Sequence, residues 1–147
     1  MPAESLVSVV VTHRFRASPE RVFDAWLAPE SIAKWMLSPG PGEIVRIDVD
    51  PRVGGRFSFV IRRAGQEIEH TGEYLELDRP KRLAFSWGLP SFSPEFTTVR
   101  IDFVAVASGT EVTLLHERVP PEYVEPNRRG WSTILGRIES DLDRDTH

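Results

Sequence analysis

The sequence predicts an α+β domain: one antiparallel sheet with its helices gathered on one face. Three observations carry this. The chain closes with an amphipathic segment, Asn127 to Leu142, whose large apolar residues Trp131, Ile134, Leu135, Ile138 and Leu142 repeat at i, i+3, i+4, i+7 and i+11. Ahead of it lie six segments of strand character joined by short turns, the pattern of an antiparallel meander. Between a first strand and that meander stand two short helical patterns, each opened by a proline.

The elements follow in order. Leu6 to Phe15 is rich in valine, with Val7, Val9, Val11, His13 and Phe15 on one side of a strand. Leu6 and Val10 make the other side apolar as well, so some cover is expected over it. Ser18-Pro19-Glu20 starts a helix with a capping serine, a proline at the first helical position and a glutamate at the positive end of the dipole. Pro29 ends that helix and opens a second, with Ile32, Trp35 and Met36 on one face and the Ser38–Gly42 Pro/Gly run at its end. The strands then run Ile44–Val49, Arg56–Arg62, Glu67–Leu77, Arg82–Trp87, Phe96–Val106 and Thr110–Glu117. Ala64-Gly65-Gln66 and Ser108-Gly109 serve as hairpin turns, and Pro90–Pro94 as a loop. Parity flips within Glu67–Leu77: Ile68, His70 and Tyr74 share one side, yet Leu75 and Leu77 are also apolar, which asks for a bulge. Tyr123 to Asn127 leads into the closing helix, and residues 143–147 are expected to fray.

Composition sets bounds. At 147 residues, positions 1–147 read as a single domain. The net charge of −4 is spread along the chain, with no basic block of the kind that binds nucleic acid. Cysteine is absent, which removes disulfides and thiolate metal sites. No apolar run is long enough to span a bilayer, and the N-terminus is a poor signal peptide, so a cytoplasmic location is expected.

Short motifs spread over almost the whole chain add to this. They are Ala17–Trp26, Pro29-Glu30 followed by Lys34-Trp35, Asp50–Phe57 with its Gly54-Gly55 pair, Gly72–Leu77, Pro80–Leu83, Gly109–His116 and Gly130-Trp131. In this order and spacing the chain resembles the START-like or polyketide-cyclase (SRPBCC) superfamily. Within it, the resemblance is to the family related to the C-terminal domain of the activator of the 90-kDa heat-shock protein ATPase. The resemblance implies a helix-grip fold: a curved seven-stranded sheet wrapped round the long C-terminal helix, with a cavity between them. It implies less about activity, since the superfamily includes binders of lipids, steroids and aromatic polyketides, cyclases, hydrolases and partners of other proteins.

The residues themselves offer candidates for such a cavity. Phe57, Phe59, Phe85, Trp87, Phe103 and Trp131 either fill the space between sheet and helix or line it. Leu135 stands with Trp131 on the helix face that walls or plugs the space. Trp35 and Met36 lie beside the Pro/Gly run, where a mouth could open. His70, Tyr74 and His116 would supply polar points for an apolar ligand, or acid–base groups; the alternative is that each is hydrogen-bonded within the core. The leading expectation is a binding protein for an apolar or aromatic small molecule, with no cofactor and no metal. A cyclase- or hydrolase-like enzyme using these His and Tyr residues, and a protein-interaction module, are the rivals. A homodimer is compatible with everything in the sequence. Gly130 and Gly136 interrupt the closing helix, and Gly136, the more internal, either permits close contact or leaves room for a ligand.

Overall fold

The computed structural model describes residues 6–36, 42–90 and 96–144. The Pro/Gly run at 38–41, most of the 90–94 loop and residues 145–147 of the expected frayed end lie outside the described residues. Strand β1 (Val7–Phe15) is followed by helices α1 (Pro19–Ala25) and α2 (Pro29–Met36). Strands β2 (Glu43–Val49), β3 (Arg56–Arg63), β4 (Gln66–Asp78), β5 (Arg82–Trp87), β6 (Thr97–Val106) and β7 (Gly109–Val119) come next. A short 3-10 turn, Pro121–Tyr123, leads to the closing helix α3 (Val124–Arg144). The seven strands form one antiparallel sheet in the order β1-β7-β6-β5-β4-β3-β2. The fold is thus the helix-grip-like α+β arrangement that the element order implies.

Local chemistry sets the elements. The Ser18 Oγ accepts from the Arg21 amide at 3.3 Å, capping α1, with Pro19 behind it. Ala64 and Gly65 both take positive φ, 54° and 76°, which suits the two-residue turn between β3 and β4. Gly72 is required by crowding: a Cβ there would lie 1.8 Å from the Ser86 carbonyl oxygen on β5. The parity flip in β4 is a bulge. Tyr74 pairs with Phe85 and Glu76 with Ala84, so Leu75 is the extra residue; it turns out to solvent while Leu77 stays opposite Leu83.

The core fills the concave side. Phe57, Phe59, Leu83, Phe85, Val99, Ile101, Phe103, Val112 and Leu114 point inward from the strands, against Trp131, Leu135, Ile138 and Leu142 of α3. Each such side chain, fully buried, contributes on the order of 2 kcal/mol. The C-terminal half of α3 is also tied down by polar contacts. His13 Nε2 on β1 meets Glu139 Oε1 at 2.7 Å. Arg21 Nη2 on α1 donates to the Leu142 carbonyl at 3.1 Å, and Lys34 Nζ on α2 donates to Asp141 Oδ1 at 3.0 Å.

Three expectations change. The second side of β1 is uncovered: Leu6 and Val10 are about half exposed, at 52% and 51%. Among the described residues no helix crosses that face, because the three helices lie against the concave side. The closing helix begins at Val124, a turn before Asn127, because Pro126 sits in the first turn, where no intrahelical N–H bond is lost. At its other end the helix runs through Arg144, past the expected fraying point.

Candidate functional site

A groove of about 430 Å3 opens between the N-terminal half of α3 and the β3–β4–β5 side of the sheet. Its floor is apolar. Ile61 on β3, Ile68 on β4 and Trp87 on β5 face Ile134 on α3, and Trp35 and Met36 close the side from the end of α2. A second lobe of about 260 Å3 continues past His70, Trp87 and Ile134 to Trp131, Asn127 and Pro126. Gly130 borders both lobes, and a side chain there would meet nothing within 4 Å. Gly136, the more internal of the two helix glycines, also has open space; it faces an adjoining surface hollow that shares Thr133 and Arg137 with the groove and adds Lys34 and Asp141. Neither glycine is needed for close packing.

The polar groups of the groove are His70, Arg63, Arg129, Thr133 and Arg137. Residues 129, 133 and 137 are successive i, i+4 positions and form one ridge of α3. Arg63 ends β3, and its Nε and Nη2 are buried with no hydrogen-bond partner. His70 packs its ring 5.6 Å from the Trp87 ring, and its Nδ1 is buried without a partner. Burial lowers the His70 pKa below the ordinary histidine value, and the nearby Arg63 charge lowers it further.

His116 sits differently. It is 3% exposed and lies outside both lobes. Trp131 Nε1 donates to His116 Nδ1 at 3.0 Å. The indole can only donate, so the proton of the neutral imidazole is on Nε2. Nε2–H donates to Thr97 Oγ1 at 2.6 Å, and the Thr97 hydroxyl donates to the Trp87 carbonyl at 3.2 Å. The chain of donors is complete, and burial pushes the His116 pKa down to about 4.

The remaining candidates sort by position. Phe57, Phe59, Tyr74 and Phe85 surround an interior void of only about 10 Å3, together with Trp26 and Leu83. That is room for about one water molecule. Phe57 stacks on Phe59 at 4.9 Å and meets Phe85 edge-on at 5.5 Å. Burial pushes the Tyr74 hydroxyl pKa up, and Asp50 adds to it. Phe103 packs on Phe23 at 5.2 Å, and Leu135 is fully buried. So Trp35, Met36, His70, Trp87 and Trp131 border the groove, while Phe103, His116 and Leu135 lie in the packed interior. His70, Tyr74 and His116 do not share a cavity, so no acid–base pair is assembled from them. His13 is held by Glu139, and among the described residues no group of three or more His, Asp or Glu is placed to hold a metal. Arg63, Arg129, Thr133 and Arg137 were not among the sequence candidates; the 129/133/137 repeat was the one signal that could have raised three of them.

The family model described as "Activator of Hsp90 ATPase homolog 1-like protein" (AHSA1) matches residues 16–143. The chain belongs to this family. The AHSA1-like fold is of the SRPBCC kind, which commonly binds ligands. Solved structures agree on the fold. Protein CV1439 from Chromobacterium violaceum is 24% identical with a TM-score of 0.80, over 91% of this chain and 96% of that one. Protein SA2116 from Staphylococcus aureus, described as of unknown function, is 20% identical with a TM-score of 0.83, over 97% of each chain. The AHSA1-like protein from Aeromonas hydrophila is 21% identical with a TM-score of 0.78, over 95% and 94%. No curated protein matches the chain. Among the described residues no helix of this AHSA1-family chain is long and apolar enough to cross a membrane.

Proposed function

We propose that this AHSA1-family protein binds a small molecule with an apolar body in the groove between α3 and the β3–β5 side of the sheet. The observation that carries the reading is the groove itself: about 430 Å3, floored by aliphatic and indole side chains and edged by a few polar groups. That size and composition fit a small-molecule site. The interior void is far too small for the purpose, so the ligand lies beside α3 rather than beneath it. Trp35, Met36, Trp87 and Ile134 supply the contact surface, and His70 orients the ligand.

Gly130 provides the test. Gly130→Leu sets a branched side chain at the border of both lobes, from a Cβ that meets nothing within 4 Å. The helix itself gains up to about 1 kcal/mol from losing a glycine. Titration with the neutral fluorophore N-phenyl-1-naphthylamine should saturate at one site in the native protein. In Gly130→Leu the affinity should fall at least about tenfold, equivalent to about 1.4 kcal/mol, with the melting temperature equal or higher. Unchanged dye affinity in the variant, or no saturable binding in the native protein, would sink the reading.

A further inference from the structure

We infer that the ligand of this groove is an amphiphilic anion: an apolar body carrying a single carboxylate-type head, which docks on Arg63 with Arg129 and Arg137 at the rim. The inference rests on the groove being a ligand site, as proposed above.

Charge is the first ground. The chain carries a net charge of −4. Yet among the described residues the groove is lined by three arginines and by no aspartate or glutamate. The acidic neighbours along α3 are engaged elsewhere: Glu125 pairs with Arg128, Glu139 with His13 and Asp141 with Lys34. None of the ion pairs between described residues involves Arg63, Arg129 or Arg137, whereas Arg62, one residue from Arg63 and on the opposite side of the strand, is held by Glu43 and Glu67.

Desolvation is the second ground. Two nitrogens of the Arg63 guanidinium, Nε and Nη2, are out of contact with water and make no hydrogen bond. A buried cationic donor left unpaired is costly. Both atoms lie beside Gly42, just before β2, so a carboxylate in the groove meets the guanidinium at its remaining nitrogen, Nη1, and offsets that cost by neutralising the charge. The His70 ring stands on the same wall. Arg129 and Arg137 stand eight residues apart on α3, about 12 Å along the axis. They flank the mouth and raise the local concentration of anions there. The apolar floor of Trp35, Ile61, Ile68 and Trp87 excludes a small hydrophilic anion as the preferred guest and calls for an apolar body behind the head.

Calorimetric titration with naphthalene-1-acetate and its neutral amide isolates the head group, because the two have the same body and shape. The acid should bind at least about tenfold tighter than the amide at low salt, as expected for hydrogen bonds to a charged acceptor, and the ratio should shrink at high salt. Arg63→Gln should bring the acid down to the amide's affinity and leave the amide unchanged, which also shows that the variant is folded. Arg62→Gln should leave the ratio intact. If Arg63→Gln does not fold, Arg63→Met keeps the apolar stem without the charge and should lose most of the preference. Equal binding of acid and amide by the native protein, or a ratio that survives loss of Arg63, overturns the anionic head while leaving the groove as a ligand site. Binding of neither probe overturns both.

Discussion

Two histidines on one concave face show how differently the two sides of this molecule are finished. His116 on β7 lies under α3, where Trp131 and Thr97 occupy both ring nitrogens. His70 on β4 lies where α3 stands off the sheet, with one nitrogen buried and unpartnered. The sequence puts both inward by the same alternation of residues. What separates them is the face of α3 each meets: Trp131 turns onto His116, whereas Gly130 beside it leaves open space next to His70. The C-terminal half of α3 is fixed to β1, α1 and α2 through Glu139, Leu142 and Asp141. A closed side holds the fold, and an open side is left for a guest.

The largest expected effect breaks this contrast directly. His116→Ala removes a packed ring and strands the donor of Trp131 and one bond of Thr97, and should cost about 3 kcal/mol in chemical denaturation. His70→Ala should cost under about 1 kcal/mol, since it frees an atom that has no partner, yet should weaken ligand binding. Equal losses of stability in the two variants would mean that the sides are not distinct.

Next comes pH. His116 has a folded-state pKa of about 4, below the value of about 6.5 in an unfolded chain. Between these values the unfolded chain binds more protons, so stability falls as pH falls from about 6.5 to about 4. The full effect approaches about 3 kcal/mol and is complete below pH 4. His70 contributes in the same direction. Denaturation midpoints across this window should therefore drop less steeply in a His116→Gln variant than in the native protein; parallel curves would show that His116 is not kept neutral.

The smallest effect sharpens the contrast along α3. Gly136→Ala should stabilise the protein by about 0.5–1 kcal/mol, because the new methyl meets nothing within 4 Å. It should leave dye binding untouched, unlike Gly130→Leu, because Gly136 faces a different hollow. A shared effect on binding would place both glycines at one site.

The sheet was legible because a strand shows its faces by alternation. Phe57, Phe59 and Ile61, or Val99, Ile101 and Phe103, are read inward from parity alone and are buried. The bulge at Leu75 was legible for the same reason, as a break in that alternation. The site was less so. Parity says which face a residue takes, not where along the sheet the helix lifts away. Phe85 and Trp87 therefore look alike in the sequence, though one is in the core and the other floors the groove. The arginines were passed over because guanidinium groups off the apolar stripe of a helix, or at a strand end, usually face only solvent. Leu6 and Val10 mislead in the opposite sense: apolar residues on both faces of a strand imply cover, and both are about half exposed among the described residues.

The order of strands has a further consequence, for how the chain assembles. β1 is the first strand made and pairs with β7, the last; Val9 lies opposite His116, on the order of a hundred residues along the chain. That loop must close before the pairing returns any free energy. Contacts of such long range slow folding. During synthesis the first strand waits unpaired until the last has emerged, and α3 follows only after that. The meander from β2 to β7 can form in sequence as hairpins, so the nascent protein carries an open edge on β7 until its own beginning arrives to cover it. The N-terminal strand is therefore expected to be the seal on the sheet: hydrogen-exchange labelling during refolding should protect β1 after the β3–β4 hairpin.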